Sequence, residues 1–477
     1  MRGFNPGYRL KKSLPLLFLL MAFFLLPLQI HAAERVITPN ETSMINGLLE
    51  KGISVKLMAG ETYQIRPIIA RSNTYIDATG AIIYGDGDLI IGPCDYGYGD
   101  YSYRLKNFSV KGGLWKNHNA NGEEDVGIRI AFADNVTFDG LNMEYCNYEG
   151  HSFEIIASSN VTVKNCRISA LGTPKAGSVE EQIQVDIAST SANSPSLPAY
   201  LLNGATCHNI KIQNNTVTGC RAVCANFTKA RYPGNCHTNI TVEGNTLIAT
   251  NAEALALFNT TSATIRNNTC ISYGRKSNSS LASDAYYSGC HIRLQRAVST
   301  GDAYNYRNII VSGNTFKGEQ FGLRIGSTDT NGFRSVQVTG NRMFAATGFE
   351  GAYRYDSILQ PVISDSGNIR YIQGVAHFSG NAGATPAKMI ASLKVKAPKK
   401  KVKAGKNLKL KVVYNPSGAS VKKVLWKVSN SKYATISKTG TLKTKKAGKN
   451  KKITVWAIAL DGSGKVSNKL KIKITKK

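Results

Sequence analysis

The chain has 477 residues and a formal net charge of +30. Twenty-six lysines and a single acid, Asp461, lie in residues 391–477, and residues 1–33 hold four basic residues and no acid, which leaves residues 34–390 nearly neutral. This split excludes one explanation for the whole chain: a nearly neutral region is joined to a very basic one, and each needs its own account.

Arg2, Arg9, Lys11 and Lys12 precede a run from Leu14 to Leu28 that is apolar apart from two prolines, with small residues at Ala32 and Ala33. That layout predicts a secretory signal peptide over residues 1–33, cleaved near Ala32. The run is short for an uncleaved spanning helix, which needs ~20 residues. No later stretch is long and apolar enough to span a membrane, so no span is expected after cleavage.

The mature chain opens with alternating strands broken by glycine turns, GISVKLMAGETYQI (Gly52 to Ile65) and SNTYIDATGAIIYG (Ser72 to Gly85). A nine-residue pattern then recurs, with its fullest copy at NITVEGNTL (Asn239 to Leu247). Other copies start at Asn107, Asn135, Asn160, Asn209, Ser262, Asn308 and Ser335. Most starts lie 23–30 residues apart, with two longer gaps of 49 and 46. A period of this size means stacked supersecondary units. Apolar residues at the second and fourth places have strand period. Gly or Asn at the sixth and seventh places marks a bend, because both tolerate positive φ. The seventh place reads Gly113, Leu141, Cys166, Asn215, Asn245, Asn268, Asn314 and Asn341. Stacked asparagines bond as a ladder, so Asn is expected inside the corners. Each long gap holds either one coil with a large loop or two coils.

A strand, the glycine turn before Tyr63 and the stretch from Ser72 to Ile83 resemble the N-terminal coils of right-handed parallel β-helix proteins, the pectate-lyase-like superfamily, and the resemblance covers roughly residues 45–380. The resemblance implies a polysaccharide lying along the outside of one sheet, in a groove flanked by loops. A shorter strand precedes each repeat. Aligning these strands by their inward apolar residues, Ile292 and Leu294 among them, predicts an outward column of Arg129, Glu154, Gln184, Cys224, Ala256, Arg293 and Arg324. Gln182, Asp186, His291 and Gln295 flank it.

Two stretches carry candidate chemistry, GHSFEI with His151 and Glu154, and EEQIQVD with Glu181, Gln184 and Asp186. On neighbouring coils, rungs ~4.8 Å apart and a two-residue shift of ~6.7 Å put Glu154 and Asp186 ~8 Å apart. That separation suits an inverting glycosidase, in which one carboxyl protonates the leaving oxygen and the other activates water. Glu154, Asp186, His151 and Glu181 are therefore the catalytic candidates. Arg129, Gln182, Gln184, His291, Arg293, Gln295 and Arg324 are the candidates for binding substrate. The competing chemistry is β-elimination on a uronic acid. Its carboxylate is neutralised by Arg129, Arg293 and Arg324, or by calcium held through Glu154, Asp186 and the run Glu123, Glu124, Asp125. The polygalacturonase branch carries an Asp pair, then Gly-His-Gly, then Arg-Ile-Lys. Here Gly150-His151 precedes the acidic stretch and no Asp pair is present, so the resemblance implies the fold more than that activity.

Nine cysteines are present. Cys166 and Cys270 fall at corner and interior places, which favours burial. Cys207-His208 and Cys236-His237 fall on successive coils, and disulfide, zinc site and buried thiols are the alternatives.

GNAGATPAKMIAS (Gly380 to Ser392) reads as a linker over 381–392. Short strands alternating with turns over 393–477 predict a small β-sandwich. Gly405, Pro416, Trp426, Ser429-Asn430-Ser431, Ala434, Ile436, Gly440, Ala447-Gly448, Ile453 and Asp461-Gly462 make this segment similar to bacterial Ig-like domains of group 2. That resemblance implies an accessory module without catalysis. Lysine is a flexible hydrated point charge that suits diffuse attraction to polyanions. Anionic cell-wall polymers or acidic polysaccharide are the expected partners, not nucleic acid.

The sequence thus predicts an all-β secreted, wall-associated protein: a right-handed parallel β-helix solenoid over 34–380, then an Ig-like sandwich. It cleaves an extracellular polysaccharide, by hydrolysis with paired carboxylates in preference to elimination. The alternative is a non-catalytic glycan-binding or adhesin surface protein.

Overall fold

The computed structural model describes residues 33–85, 87–92, 104–117, 126–144, 150–172, 179–189, 197–225, 236–274, 287–294, 308–319, 321–327, 335–345, 353–355, 363–372, 390–419, 422, 424–459 and 465–476. The signal-peptide segment 1–32, most of the linker, Gln295 and the run Glu123 to Asp125 lie outside the described residues.

Each coil turns through three strands. In one coil His237–Glu243 lies in the first sheet, Thr246–Ala249 in the second and Leu255–Phe258 in the third. The next coil pairs with it in parallel, Val242 opposite Ile265 and Leu247 opposite Cys270. Among the described residues the three stacks contain 13, 11 and 10 strands. Alternation sends Phe108, Trp115, Phe138, Phe153 and Phe316 into the interior, where each is at most 1% exposed. Helix Ile45–Glu50 lies at the N-terminal end and buries Ile45, Leu48 and Leu49, which covers what would otherwise be an open stack of strands.

The corner between the first and second sheets follows from the sixth and seventh places of the repeat. Asn165, Asn214, Gly244, Asn267, Gly313 and Gly340 have φ between 56° and 68° at the sixth place. At the seventh, Asn215, Asn245, Asn268, Asn314 and Asn341 point inward and are at most 1% exposed. Each side-chain amide donates to the next: Asn215 to Asn245 at 3.0 Å, Asn245 to Asn268 at 2.9 Å, Asn268 to Asn314 at 3.0 Å and Asn314 to Asn341 at 2.8 Å. Every rung also ties down backbone. Asn268 donates to the Val242 carbonyl at 2.8 Å and accepts the Asn245 N–H at 2.9 Å. Replacing Asn268 by Ala orphans these buried groups, each at a cost of about 1–3 kcal/mol. Denaturant unfolding of Asn268→Ala is expected to show a loss of at least that size. An unchanged midpoint would deny the ladder a structural role.

Both long gaps hold a single coil with an insertion. Ser159–Lys164 pairs directly with His208–Gln213, and Thr264–Arg266 with Ile309–Ser312.

The C-terminal segment has its own core, which includes Ile390, Val402, Leu442, Val455, Ile472 and Ile474. A four-stranded sheet runs in the order Lys401–Lys403, Leu470–Thr475, Lys452–Ala459, Val424–Val428. A three-stranded sheet runs Asn407–Lys409, Thr441–Thr444, Ala434–Ile436. A further pair joins Ser392–Lys396 to Lys411–Asn415. This is the sandwich that the alternation implies. Among the described residues no helix is long and apolar enough to cross a membrane.

Candidate functional site

The third sheet carries the candidate residues. Its inward residues stack as Ile128, Phe153, Ile183, Val223, Leu255, Cys290 and Leu323. The outward column is Arg129, Glu154, Gln184, Cys224, Ala256, His291 and Arg324. The sequence alignment puts Arg293 in this column, and the register corrects it. His291 lies between Ala256 and Arg324, while Arg293 lies opposite Phe258 and Gly326. The cause is Cys290: a thiol behaves as a small apolar core residue, so the inward pair is Cys290 and Ile292, one pair earlier than the apolar pattern suggests.

Ile156 lies opposite Asp186 and Glu154 opposite Gln184, so the two carboxyls have the expected offset of one rung and two residues. They do not lie on an open groove. Glu154 is 3% exposed, Asp186 1%, Arg129 6% and Arg324 6%. Close to them Leu197 and Leu201 pack on Ala131, Ile156 and Ala188.

Burying charge is costly unless each charge is paired, and two chains of ion pairs meet that need. Arg129 Nε donates to Glu154 at 2.5 Å, and its Nη1 lies 3.8 Å from Asp88. Arg221 donates to Glu181 at 2.5 Å and, through Nε and Nη2, to Glu253 at 3.2 and 2.8 Å. Glu253 in turn meets His291 Nδ1 at 2.9 Å. Burial opposes ionisation of Glu253, but Arg221 and His291 outweigh it and hold its carboxyl down to about 2. Arg221 and Glu253 are absent from the sequence candidates. The available signal is position: Glu181, Arg221 and Glu253 all occur at or just before the start of a third-sheet strand, where neighbouring coils read Val126 and His151.

Asp186 is the exception among these acids. One carboxyl oxygen accepts the Ile187 N–H at 3.2 Å, and the other is buried with no hydrogen-bond partner. Burial first, then the charges of Glu154 and Glu181, push its pKa well above the usual carboxylate range. A folded-state pKa raised above the unfolded one favours folding at low pH and loses that contribution as pH rises through the folded value. Asp186→Asn removes the penalty. The variant is expected to gain stability over the parent at neutral pH and to lose that gain near pH 3, read by unfolding at both pH values.

His151 Nδ1 donates to the Glu181 carbonyl at 2.6 Å, and its Nε2 lies 3.4 Å from Glu180. Burial lowers its pKa, but Glu181, Glu154 and Glu180 outweigh burial and raise it. Gln182 is fully buried, accepting from Ser152 at 2.7 Å and donating to Gly150 at 3.3 Å. It braces two strands, a different task from the substrate contact expected of it. Gln184 is half-buried, with a carbonyl oxygen that meets no donor.

The donors present decide against a metal. His151, Glu180 and Glu181 offer atoms within 4.8 Å of one another, but Glu181 already neutralises Arg221. Calcium wants six to eight oxygens. Among the described acids of the expected calcium set, Glu154 is taken by Arg129, which leaves Asp186 alone. These residues do not suit calcium. The cysteine pairs form no zinc site. The register sets Cys207 beside His237, whose Nδ1 accepts the Cys207 N–H at 2.9 Å. Strand alternation turns His208 outward while Cys207 is fully buried. Cys166, Cys207, Cys224, Cys270 and Cys290 are buried free thiols.

Residues 389–475 match the family model of the bacterial Ig-like domain (group 2). The chain is a parallel β-helix protein with a C-terminal bacterial Ig-like domain. No curated protein matches it. The surface adhesin PfbA of Streptococcus pneumoniae is similar over 70% of this chain and 88% of its own, at 15% identity and a TM-score of 0.45. The A-module of mannuronan C-5 epimerase AlgE6 from Azotobacter vinelandii is similar over 71% and 92%, at 14% identity and a TM-score of 0.39. The tailspike protein of E. coli bacteriophage HK620, solved with a pentasaccharide, is similar over 70% and 62%, at 12% identity and a TM-score of 0.34. At such identities and TM-scores these likenesses add nothing to the fold read from the strands themselves.

Proposed function

We propose that the β-helix protein is secreted and cleaves an extracellular polysaccharide by hydrolysis on the outer face of its third sheet. The observation that carries this reading is a pair of neighbouring carboxyls in opposite surroundings. Glu154 is bound to Arg129 at 2.5 Å, whereas Asp186 is buried, lacks a partner for one oxygen and has a raised pKa. A carboxyl that burial keeps protonated, beside one ion-paired to an arginine, can divide the acid and base roles. Asp186 gives its proton to the glycosidic oxygen. Glu154 takes a proton from the attacking water. The ~8 Å backbone offset suits inversion. His151 positions the acidic stretch through the Glu181 carbonyl. Because both carboxyls are shielded, turnover requires the outer face to open to the sugar.

Elimination is the weaker chemistry here, since Arg129 is committed to Glu154 and Asp88 and is not spare for a uronate. A non-catalytic glycan-binding role is the second reading, favoured by the burial of both carboxyls. In either case the lysine-rich domain holds the protein to anionic wall polymers outside the cell. Exposed lysines act through screened charge, so that retention weakens with salt.

The test is incubation of residues 34–477 with acidic and neutral polysaccharides, following reducing ends and the ultraviolet absorbance of unsaturated uronate. Reducing ends alone support hydrolysis. Both signals together mean a lyase. Neither signal, with retention on one polymer, means a binding protein.

A further inference from the structure

The four-stranded sheet of the Ig-like domain has one face in its core, and the other packs on Phe344 at Ile458 and is exposed along its lysines. Its outward residues are dominated by lysine. Lys401 lies opposite Lys473, and Lys473 opposite Lys452, so three like charges form one row across three strands. Lys471 lies opposite Thr454 in the next row, and Lys427 opposite Trp456 in the row after that. All five of these lysines are exposed and Trp456 is half-buried. Their inward neighbours Val402, Ile453, Val455, Ile472 and Ile474 are at most 3% exposed.

Folding does not ask for this arrangement. Like charges directly opposite one another on a sheet are destabilising, and threonine or an alternating set of charges would solvate the face as well. Rows ~4.8 Å apart across strands and ~6.7 Å apart along them make a grid of positive charge. We propose that this face is a docking surface for a linear acidic polysaccharide, whose carboxylates lie on the row Lys401, Lys473 and Lys452 and one of whose sugar rings rests on Trp456. Charge complementarity selects a polyanion: the domain's 26 lysines face one acid in residues 391–477. The indole selects a sugar polymer over a bare polyphosphate, because a ring face packs on an aromatic plane. The proposal deepens the reading of this domain as the holding module and does not depend on cleavage by the β-helix.

The test uses the full mature chain and measures affinity for polygalacturonate at rising salt. One variant carries Lys401→Gln, Lys452→Gln, Lys471→Gln and Lys473→Gln. A control loses the same charge elsewhere, through Lys394→Gln, Lys396→Gln, Lys411→Gln and Lys443→Gln. The face variant is expected to bind on the order of 100-fold more weakly, with a flatter salt dependence, while the control changes little. Trp456→Ala is expected to weaken binding to polygalacturonate and to leave binding to inorganic polyphosphate unchanged. Equal losses in the face and control variants would overturn the docking surface but keep diffuse retention. Tighter binding to polyphosphate or to a single-stranded oligonucleotide, indifferent to Trp456, would overturn the choice of a sugar polymer. No binding by the parent chain would overturn both the surface and the holding role, and reducing-end release would still report separately on the β-helix.

Discussion

Glu154→Gln is expected to slow polysaccharide cleavage by about 10²–10⁴-fold, the usual worth of a positioned acid or base. The amide keeps the shape of the side chain and a hydrogen-bond acceptor for Arg129 but cannot take a proton from water, and it leaves that buried guanidinium with Asp88 at 3.8 Å as its nearest remaining acid, so some loss of stability is expected beside the loss of turnover. The affinity for the polymer is expected to change little, so the loss falls on turnover. A purely structural role would give the loss of stability alone, with turnover reduced only by the fraction unfolded. Measuring turnover, affinity and unfolding on the same preparation separates these outcomes.

Arg221→Met is expected to be among the most damaging single changes to the β-helix. It strands Glu181, which is 5% exposed, and Glu253, which is 2% exposed. Breaking one side of a buried ion pair costs about 3–5 kcal/mol, because an uncompensated charge is left inside. Adding Glu253→Gln to Arg221→Met removes one of the stranded charges and is expected to recover part of the loss. The pH dependence follows from the same pairs. Glu253 has a depressed pKa of about 2, so its contribution is complete above the ordinary carboxylate range and disappears as pH falls toward about 2. In the Arg221→Met protein that acid-side loss is expected to shrink. Unfolding midpoints of parent and variants across pH 2 to 7 check both statements. A cost below about 1 kcal/mol would mean that the cluster is solvated.

The coil itself was legible because strand period and corner chemistry repeat at each turn. Asn215, Asn245, Asn268, Asn314 and Asn341 form the ladder that their shared place implies. The offset between Glu154 and Asp186 was legible for the same reason, since both stretches keep clean alternation. Reading failed where a residue of ambiguous polarity set the register: Cys290 is as buried as an aliphatic, and taking Ile292 as the first inward residue moved Arg293 into the place of His291. Arg221 and Glu253 were not legible as a pair, because they lie 32 residues apart and look like solvated ends of strands. The covering of the outer face was also hidden. Leu197 and Leu201 come from an insertion with no repeat, and only the folded chain lays them near Ala131 and Ile156.

The most direct measurement is reducing-end release by the parent and by Asp186→Asn, side by side at neutral pH on a polysaccharide that the parent cleaves. The variant lacks the proton that the leaving oxygen needs, while its fold is relieved of an unpaired buried carboxylate. The account predicts a protein more stable than the parent and slower by about 10²-fold or more. A variant that cleaves as fast as the parent would contradict the assignment of Asp186 and, with it, the paired-carboxylate mechanism.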